Sequence, residues 1–500
     1  MQSLNDMFMY KETDVENFLT VKSDTLYPLS QSTTQKKYIF KLESTGYLDA
    51  NSVLCFKLKS TLSGGRRVNI FNGALGAVRR ATLSVGDYVL NDTDSVNKWS
   101  TLENFASLSR DVQNGFYSHY FGNSLHTQVV TDVVPDGDQV VNPYGSIDVD
   151  NNNSGLSFGG NLSGGSSVGA VDSKVVGINS QPLSTNLDTC VQYGIPLGFL
   201  FPALKNKTIP LFLFELYKIY ITVYFEEPSQ YINSIVQDDY TTDKLQAANN
   251  SVSVEDVKLQ IDYLIYPSSV VNKQLEMISK EGGYVLDFYD VNHIIKSIPV
   301  AENRQKQVVE LKIGQENKEV HKLYLLKNMP NASGRRCAGL LSFVCDSMPQ
   351  ETINYNVNGS DLYTVDYDTP GLHYDQLCMA LDTNLDVERP MYFMDENSEW
   401  AATSGKWSPL QGVYKPLGVD LRNGNSGVIG AGTVIGSYPI TCKYSRTPHE
   451  GFDQDQDETH EPIHYNSWIH PLNVDIFSMC SRRCVIKSSP KGGQIVAVSY

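Results

Sequence analysis

A two-residue hydrophobic period constrains this chain more than any other feature. Leu54, Phe56 and Leu58 oppose Val53, Cys55, Lys57 and Lys59. Val257, Leu259, Ile261, Tyr263 and Ile265 oppose Lys258, Gln260, Asp262, Leu264 and Tyr266. Ile219, Ile221, Val223 and Phe225 alternate with Tyr220, Thr222 and Tyr224, and GGQIVAVSY after Pro490 reads as a last strand. Successive side chains of a strand point to opposite faces, so this period buries one face and wets the other. Short strands of this kind between Gly, Asn, Asp and Pro turns predict an all-β sandwich class. The 29 Tyr residues fit, because aromatic side chains favour strands. At 500 residues the chain needs two or more cores, or one large core with long loops.

The pattern also repeats. In ATLSVGDYVL, Ala81, Leu83 and Val85 share a face, Gly86-Asp87 turns, and Tyr88-Val89 follow. In INYNVNGSDLY, Ile353, Tyr355 and Val357 share a face, Asn358-Gly359 turns, and Leu362-Tyr363 follow. Asn-Gly suits a two-residue hairpin because both positions tolerate positive φ. A short helix is expected after each hairpin. Trp99, Leu102, Phe105 and Leu108 form one stripe; Thr369-Pro370 reads as a helix start before Tyr374, Leu377, Cys378 and Leu381. Pro196-Leu197-Gly198 and Pro416-Leu417-Gly418 then close the two copies. Val85 to Pro196 spans 52 residues more than Val357 to Pro416, and fifteen of the twenty residues 151–170 are Gly, Asn or Ser. Such a stretch buries too little apolar area to offset its ordering entropy. The expected organisation is an N-terminal arm over 1–29, a first unit over 30–266 with a large exposed loop at about 124–187, a linker over 267–283 containing a short helix, and a second unit over 284–500 with an acidic loop at about 446–466.

Charge narrows the partners. The chain carries 56 acids and 40 bases, a net −16, with pI near 5.0. It lacks the clustered Lys and Arg that grip a phosphate backbone or an anionic lipid surface. Residues 124–187 hold six Asp and one Lys, and residues 450–461 hold six acids and no Lys or Arg. Eleven of the sixteen excess charges therefore sit in two loops. The N-terminal MQSLNDMFMYKETDVENF has no basic region followed by an apolar core, so no secretory signal is expected there. Ile209–Phe225 is the best candidate for a membrane span, but Glu215, Lys218 and the alternation after them predict a strand. Eight cysteines without a secretory signal predict reduced thiols in an intracellular setting, with Cys480 and Cys484 as buried or free thiols rather than half a zinc site.

Three motifs invite a chemical reading. His460-Glu461-Pro462-Ile463-His464 fits H-E-x-x-H, in which two His one helical turn apart bind zinc. Pro462 disfavours the helix this needs, so a chance match in a loop is expected. Asp453, Asp455 and Asp457 have the spacing of a calcium loop, but Glu458 stands where Gly is required and His464 where the bidentate Glu belongs. Gly165-Ser166-Ser167-Val168-Gly169 fits G-x-S-x-G without a flanking strand and helix. The basic doublets Arg66-Arg67, Arg79-Arg80 and Arg482-Arg483, the last with Lys487 and Lys491 nearby, read as solvated turns or salt links between subunits.

FNGALGAVRRATLSVGDYVLND, YGIPLGFLFPALKNKTIPLFLFELYKIYITVYFE and PLGVDLRNGNSG together resemble the rolls of double jelly-roll major capsid proteins, with the nearest likeness to those of virophages and polinton-like viruses in the adenovirus hexon lineage. The resemblance covers nearly all of 30–500. It implies two consecutive eight-stranded jelly rolls with short helices and long surface loops. It further implies a shell protein of a double-stranded DNA virus, forming homotrimers that act as pseudo-hexagonal tiles around the genome. Implied partners are neighbouring trimers, penton and minor or cement proteins, with host-surface contact through the exposed loops and no sequence-specific nucleic-acid contact. The implied location is the virion capsid, after assembly inside the host cell. The family has no catalytic residues, and no cofactor or metal is expected. The rival readings are a zinc-dependent hydrolase built on His460, Glu461 and His464, and a β-sandwich attachment or glycan-binding protein. Limited proteolysis is expected to nick the chain within 151–170 and leave both rolls intact; resistance equal to that of the strands would contradict the loop assignment.

Overall fold

The structure is a computed structural model. It describes residues 20–32, 36–61, 66–68, 73–105, 120–121, 128–130, 140–142, 145–147, 174–176, 183–205, 208–234, 252–299, 306–328, 351–364, 376–382, 417–422, 432–446, 472–489 and 492–500. Sixteen strands carry the architecture. In the first half they are β1 (Thr20–Leu26), β2 (Lys37–Leu42), β3 (Val53–Ser60), β4 (Val78–Val85), β5 (Tyr88–Asp94), β6 (Gln192–Pro196), β7 (Ile219–Phe225) and β8 (Val252–Ile265). In the second half they are β9 (Tyr284–Ile298), β10 (Gln307–Gly314), β11 (Glu319–Asn328), β12 (Glu351–Val357), β13 (Ser360–Asp361), β14 (Leu417–Asp420), β15 (Ile440–Arg446) and β16 (Leu472–Ser489). A further strand, β17 (Gly492–Ser499), pairs with the far end of β16.

Pairing makes the repeat explicit. The first half forms the antiparallel sheets β6-β3-β8-β1 and β2-β7-β4-β5. The second half forms β14-β11-β16-β9 and β10-β15-β12-β13. Adding eight to every strand number turns the first pair of sheets into the second. Each half is thus an eight-stranded, two-sheet jelly roll, and the chain is an all-β double jelly roll. No strand pairing joins the two halves among the described residues. The helix α2 (Ser268–Lys280) lies between them.

β1 corrects the expected arm. Residues 20–26 were assigned outside the first unit, yet they pair with β8 from Thr20↔Ile265 to Leu26↔Leu259 and complete the first sheet. TVKSDTL hides this because β1 is an edge strand, exposed along most of its length, so alternation is not enforced. The hairpins are as expected. Asn358 and Gly359 both have positive φ (53° and 81°) between β12 and β13. The helices need one revision. Trp99 and Leu102 are buried in α1 (Val96–Ser100) and the π-helical turn after it. The second-roll helix at 376–380 buries Leu377 and Cys378. Its place, however, matches Tyr120 of the first roll rather than α1. A Cβ on Gly194 of β6 would meet Tyr120, and a Cβ on Gly418 of β14 would meet Leu377 and Ala380. The glycine after each Tyr-or-Leu position lets a helix sit directly on the sheet. Leu108, Thr369, Pro370, Tyr374 and Pro416 lie outside the described residues.

The residues of Ile209–Phe225 split into a bridge strand, a single 3-10 turn and β7, whose burial alternates at every residue. No helix among the described residues is long and apolar enough to cross a membrane. The 52-residue excess falls between β5 and β6, where short ladders pair 128–130 with 174–176 and 140–142 with 145–147. Because β5 and β7 are both antiparallel to β4, their outgoing connections leave the same end of the roll. The same holds for β13 and β15. The two acidic segments thus depart from corresponding ends of the two rolls.

One core lies between the sheets of the second roll, with Leu311, Val320, Leu323, Leu325, Tyr355 and Ile476 among its members. The other fills the first roll and continues into the second through Phe288, Tyr324, Leu326 and Phe477. Phe56 is fully buried and meets Phe225 edge to face at 5.0 Å. Phe56→Ala is expected to lower the unfolding free energy by about 3–5 kcal/mol, the usual cost of emptying an aromatic site, as read by denaturant titration.

Candidate functional site, the seam between the rolls

The seam arises where the edge strand β9 and the outer face of its sheet lie against β5, α1 and the segment leading into β7. At its centre is Glu103, in the TLENF turn after α1, with a side chain that has no exposed surface. Its carboxylate accepts a hydrogen bond from Lys322 Nζ of β11 at 3.1 Å and shorter ones from Lys205 Nζ and Tyr324 Oη. Lys322, itself 4% exposed, also reaches Asp382 at 2.7 Å. Asp382 and Asp420 in turn hold Arg422 at 2.5 and 2.6 Å. Burial pushes the Glu103 carboxyl up, but the Lys322 and Lys205 ammonium groups outweigh it and hold the pKa below the ordinary value. One carboxylate from the first roll is thereby clamped by a cation and a phenol from the second.

Two further clusters flank it. Asn91 of β5 donates to Asp290 Oδ1 and to the Tyr289 carbonyl, both at 3.0 Å, while its own oxygen accepts from Ala203 N at 2.9 Å. Arg482 Nη1 bridges Asp290 Oδ2 and the Leu90 carbonyl, each at 2.9 Å. Tyr500 donates to the same Asp290 oxygen at 3.1 Å, and its ring lies beneath Lys318 at 4.1 Å and Arg482 at 4.8 Å. Burial dominates at Asp290 and raises its pKa despite Arg482. On the other side, Lys98 of α1 donates to Asp475 Oδ2 of β16 at 2.6 Å. His293 Nε2 lies 2.6 Å from Asp475 Oδ1, and its Nδ1 lies 3.8 Å from Asp94 of the first roll. Each roll contributes one basic and one acidic group to this square, arranged alternately. Burial pulls the His293 imidazole down, but Asp475 and Asp94 outweigh it and raise its pKa above 6.5. At Asp475 burial raises the pKa, and His293 and Lys98 bring it below the ordinary value.

The basic doublets are answered within the chain. Arg80 forks onto Asp92, Arg79 faces Asp94 at 3.6 Å, and Arg483 pairs with Asp287 at 2.7 Å. Arg79, Arg80 and Arg483 are solvated, as the sequence suggests, but lie on strands rather than in turns, while Arg482 is largely buried on Asp290 at the seam. Arg66 and Arg67 lie in a short strand paired with Ile232–Ser234. Cys480 and Cys484 are both buried free thiols, and burial pushes each up to about 11. His460, Glu461 and His464, Asp453, Asp455 and Asp457, and Gly165–Gly169 lie outside the described residues. Among the described residues no three His, Cys, Asp or Glu side chains group to hold a metal ion.

No protein-family model matches the chain, and no curated protein matches it. Solved structures do. It is similar over 98% of its length to 99% of the PBCV-1 VP54 crystal structure fitted into a reconstruction of the virophage Sputnik, at 10% identity and a TM-score of 0.56. Against the quasi-atomic model of the PBCV-1 virus capsid the coverage is again 98% and 99%, with 10% identity and a TM-score of 0.55. Against the Faustovirus major capsid protein the coverage is 96% and 94%, with 10% identity and a TM-score of 0.52. The double jelly-roll fold of viral major capsid proteins is therefore the fold of this chain along nearly its whole length.

Glu103→Gln is expected to lower the unfolding free energy by about 3–5 kcal/mol, because it leaves Lys322 buried beside a neutral group; a loss within experimental error in a urea titration would contradict the clamp. The square of Lys98, Asp475, His293 and Asp94 predicts a stability optimum in pH. The His293 contribution is fully present below pH 6.5 and is lost as pH rises through its raised folded-state value. The Asp475 and Asp94 contributions are present above about pH 3.8 and are lost as pH falls through their lowered values. Melting temperature measured from pH 2 to 9 should be highest between these limits, and His293→Gln should flatten its alkaline side.

Proposed function

We propose that this protein is the major capsid protein of a double-stranded DNA virus. The observation that carries this reading is the matched pair of complete eight-stranded rolls, locked to each other by buried charges. An enzyme places its polar groups in a cleft open to substrate. Here the buried charges Glu103, Lys322, Asp290 and Asp475 are used to fix one roll against the other. Two similar wedges held at a set angle are what a tile with twice as many corners as chains requires. Three copies in a closed ring would present six near-equivalent wedges to a hexagonal lattice.

In this reading the rolls span 20–266 and 284–500, joined by 267–283, with residues before 20 free to serve as an arm toward neighbours or the particle interior. The two acidic connections would point outward, away from packaged DNA, since like charges repel and loops tolerate enlargement at an exposed surface. Neighbouring trimers, penton proteins and minor or cement proteins are the proposed partners, and the outward loops are the proposed host-facing surface. The virion shell is the proposed location, with assembly inside the host cell. No enzymatic role is proposed.

Native mass measurement and negative-stain imaging of the purified full chain test this. Rings of three copies with six-cornered outlines are expected. A strict monomer of 55.7 kDa across protein concentration and ionic strength would overturn the reading.

A further inference from the structure

β11 breaks step at His321, between the Glu103 and Asp290 clusters of the seam. Val320 pairs with Cys480 and Lys322 with Met479, so His321 is an extra residue with no opposite number on β16. A bulge of this kind bends its strand and re-aims its side chain. The imidazole is 4% exposed. Its Nε2 lies 2.6 Å from Ser481 Oγ of β16, and its ring meets Tyr289 of β9 edge to face at 5.0 Å. Tyr289 and Ser481 are themselves opposed across β9 and β16. Gly432 packs close enough that a Cβ there would stand 3.0 Å from Nε2. Nδ1 is buried and has no hydrogen-bond partner among the described residues.

The groups facing the ring disfavour a second proton on it. β11 contributes Glu319 and Lys322, and β14 with the residues after it contributes Asp420 and Arg422. Glu319 Oε1 is 3.8 Å from Nε2, but it already accepts from Gly432 N at 2.8 Å. Asp420 is already paired with Arg422 at 2.6 Å. β9 presents the Tyr289 phenol, which burial keeps protonated, and β16 presents the Ser481 hydroxyl. Burial, joined by Arg422 and Lys322, outweighs the two carboxylates and holds the His321 pKa below 6.5.

Both neighbours of the ring reach the first roll. Lys322 binds Glu103, and the Tyr289 carbonyl accepts from Asn91. We propose that His321 is an acid switch for the seam, and that protonating its imidazole loosens the first roll from the second. The imidazolium carries an N–H with no acceptor and a positive charge beside Lys322 and Arg422. Buried charge of this kind is relieved by admitting water. The ladder is already interrupted at the bulge, so β11 yields there with the fewest pairings lost, and Lys322 yields with it. The stability that His321 contributes is fully present above pH 6.5 and is lost as pH falls through its lowered folded-state value. His293 acts in the opposite sense, because Asp475 and Asp94 favour its charged form. One histidine thus limits the seam on the acid side and the other on the alkaline side. The switch works within a single chain; in a shell of such chains it would loosen the wall in an acidified compartment.

Amide hydrogen exchange on the full chain tests this, corrected for the intrinsic rate and read at about pH 7.5 and about pH 5, either side of the ordinary histidine value. In the wild type, β5 and the first half of β9 are expected to exchange faster at the lower pH, by about tenfold for each pH unit that separates the folded value of His321 from 6.5. In His321→Gln, which can still bond Ser481 but carries no charge, that acceleration is expected to vanish. Asp290, whose pKa burial raises, is common to both chains and cancels in the comparison. Hydrogen exchange at the His321 ring carbon of the wild type reads its titration without any variant, and a midpoint below 6.5 is expected. A midpoint at or above 6.5, a seam equally protected at both pH values, or the same acceleration in wild type and variant would overturn the switch and leave the capsid reading standing.

Discussion

The Glu103 carboxylate has no contact with water, and that fact fixes the rest of the molecule. Removing a carboxylate from water costs several kcal/mol, and only well-placed counter-charges recover it. Lys205 supplies one from the same roll, Lys322 and Tyr324 supply the others from the second roll, and Asp382 and Arg422 hold Lys322 in place. A rotation or slip of one roll on the other would strand at least one of these charges. An apolar seam of the same area would tolerate several orientations. The ionic seam favours one, so its contribution is to angle as well as to stability.

The strands were legible in the sequence wherever one face is buried and the other wet. Ile219–Phe225 and the 257–264 part of β8 both follow the alternation read from their residues; the part of β8 before it breaks the period at a register shift between Glu255 and Lys258. The hairpin turns were legible because their backbone geometry favours those residues, whereas the two Pro-Leu-Gly matches do not correspond in structure: Leu197–Leu200 is helical and Leu417–Asp420 is a strand. β1 was not, because an edge strand with both faces near solvent has no reason to alternate. The seam was not legible either, since Lys98 and Asp475 stand 377 residues apart in the chain. A signal did exist in the strands themselves. Lys322 is followed by LYLL and Asp475 lies between Val474 and Ile476-Phe477, each a charge directly beside apolar strand residues. A charge placed there needs a buried partner, and the number of such charges in both halves hinted at a common surface.

The charge distribution follows the same division. The arginines of the doublets near β4 and β16 each face a carboxylate of their own chain, Arg482 mostly buried and the other three exposed. Most of the excess negative charge belongs to the connections leaving β5 and β15, at corresponding ends of the rolls. Outside those two connections the chain is close to neutral by sequence.

Differential scanning calorimetry on the intact chain at the pH optimum tests the central claim most directly, because a seam that fixes the two rolls as one body also couples their melting. The account predicts a single transition whose calorimetric and van't Hoff enthalpies agree for the full 500 residues. Two separable transitions, each with the enthalpy of one roll, would contradict it.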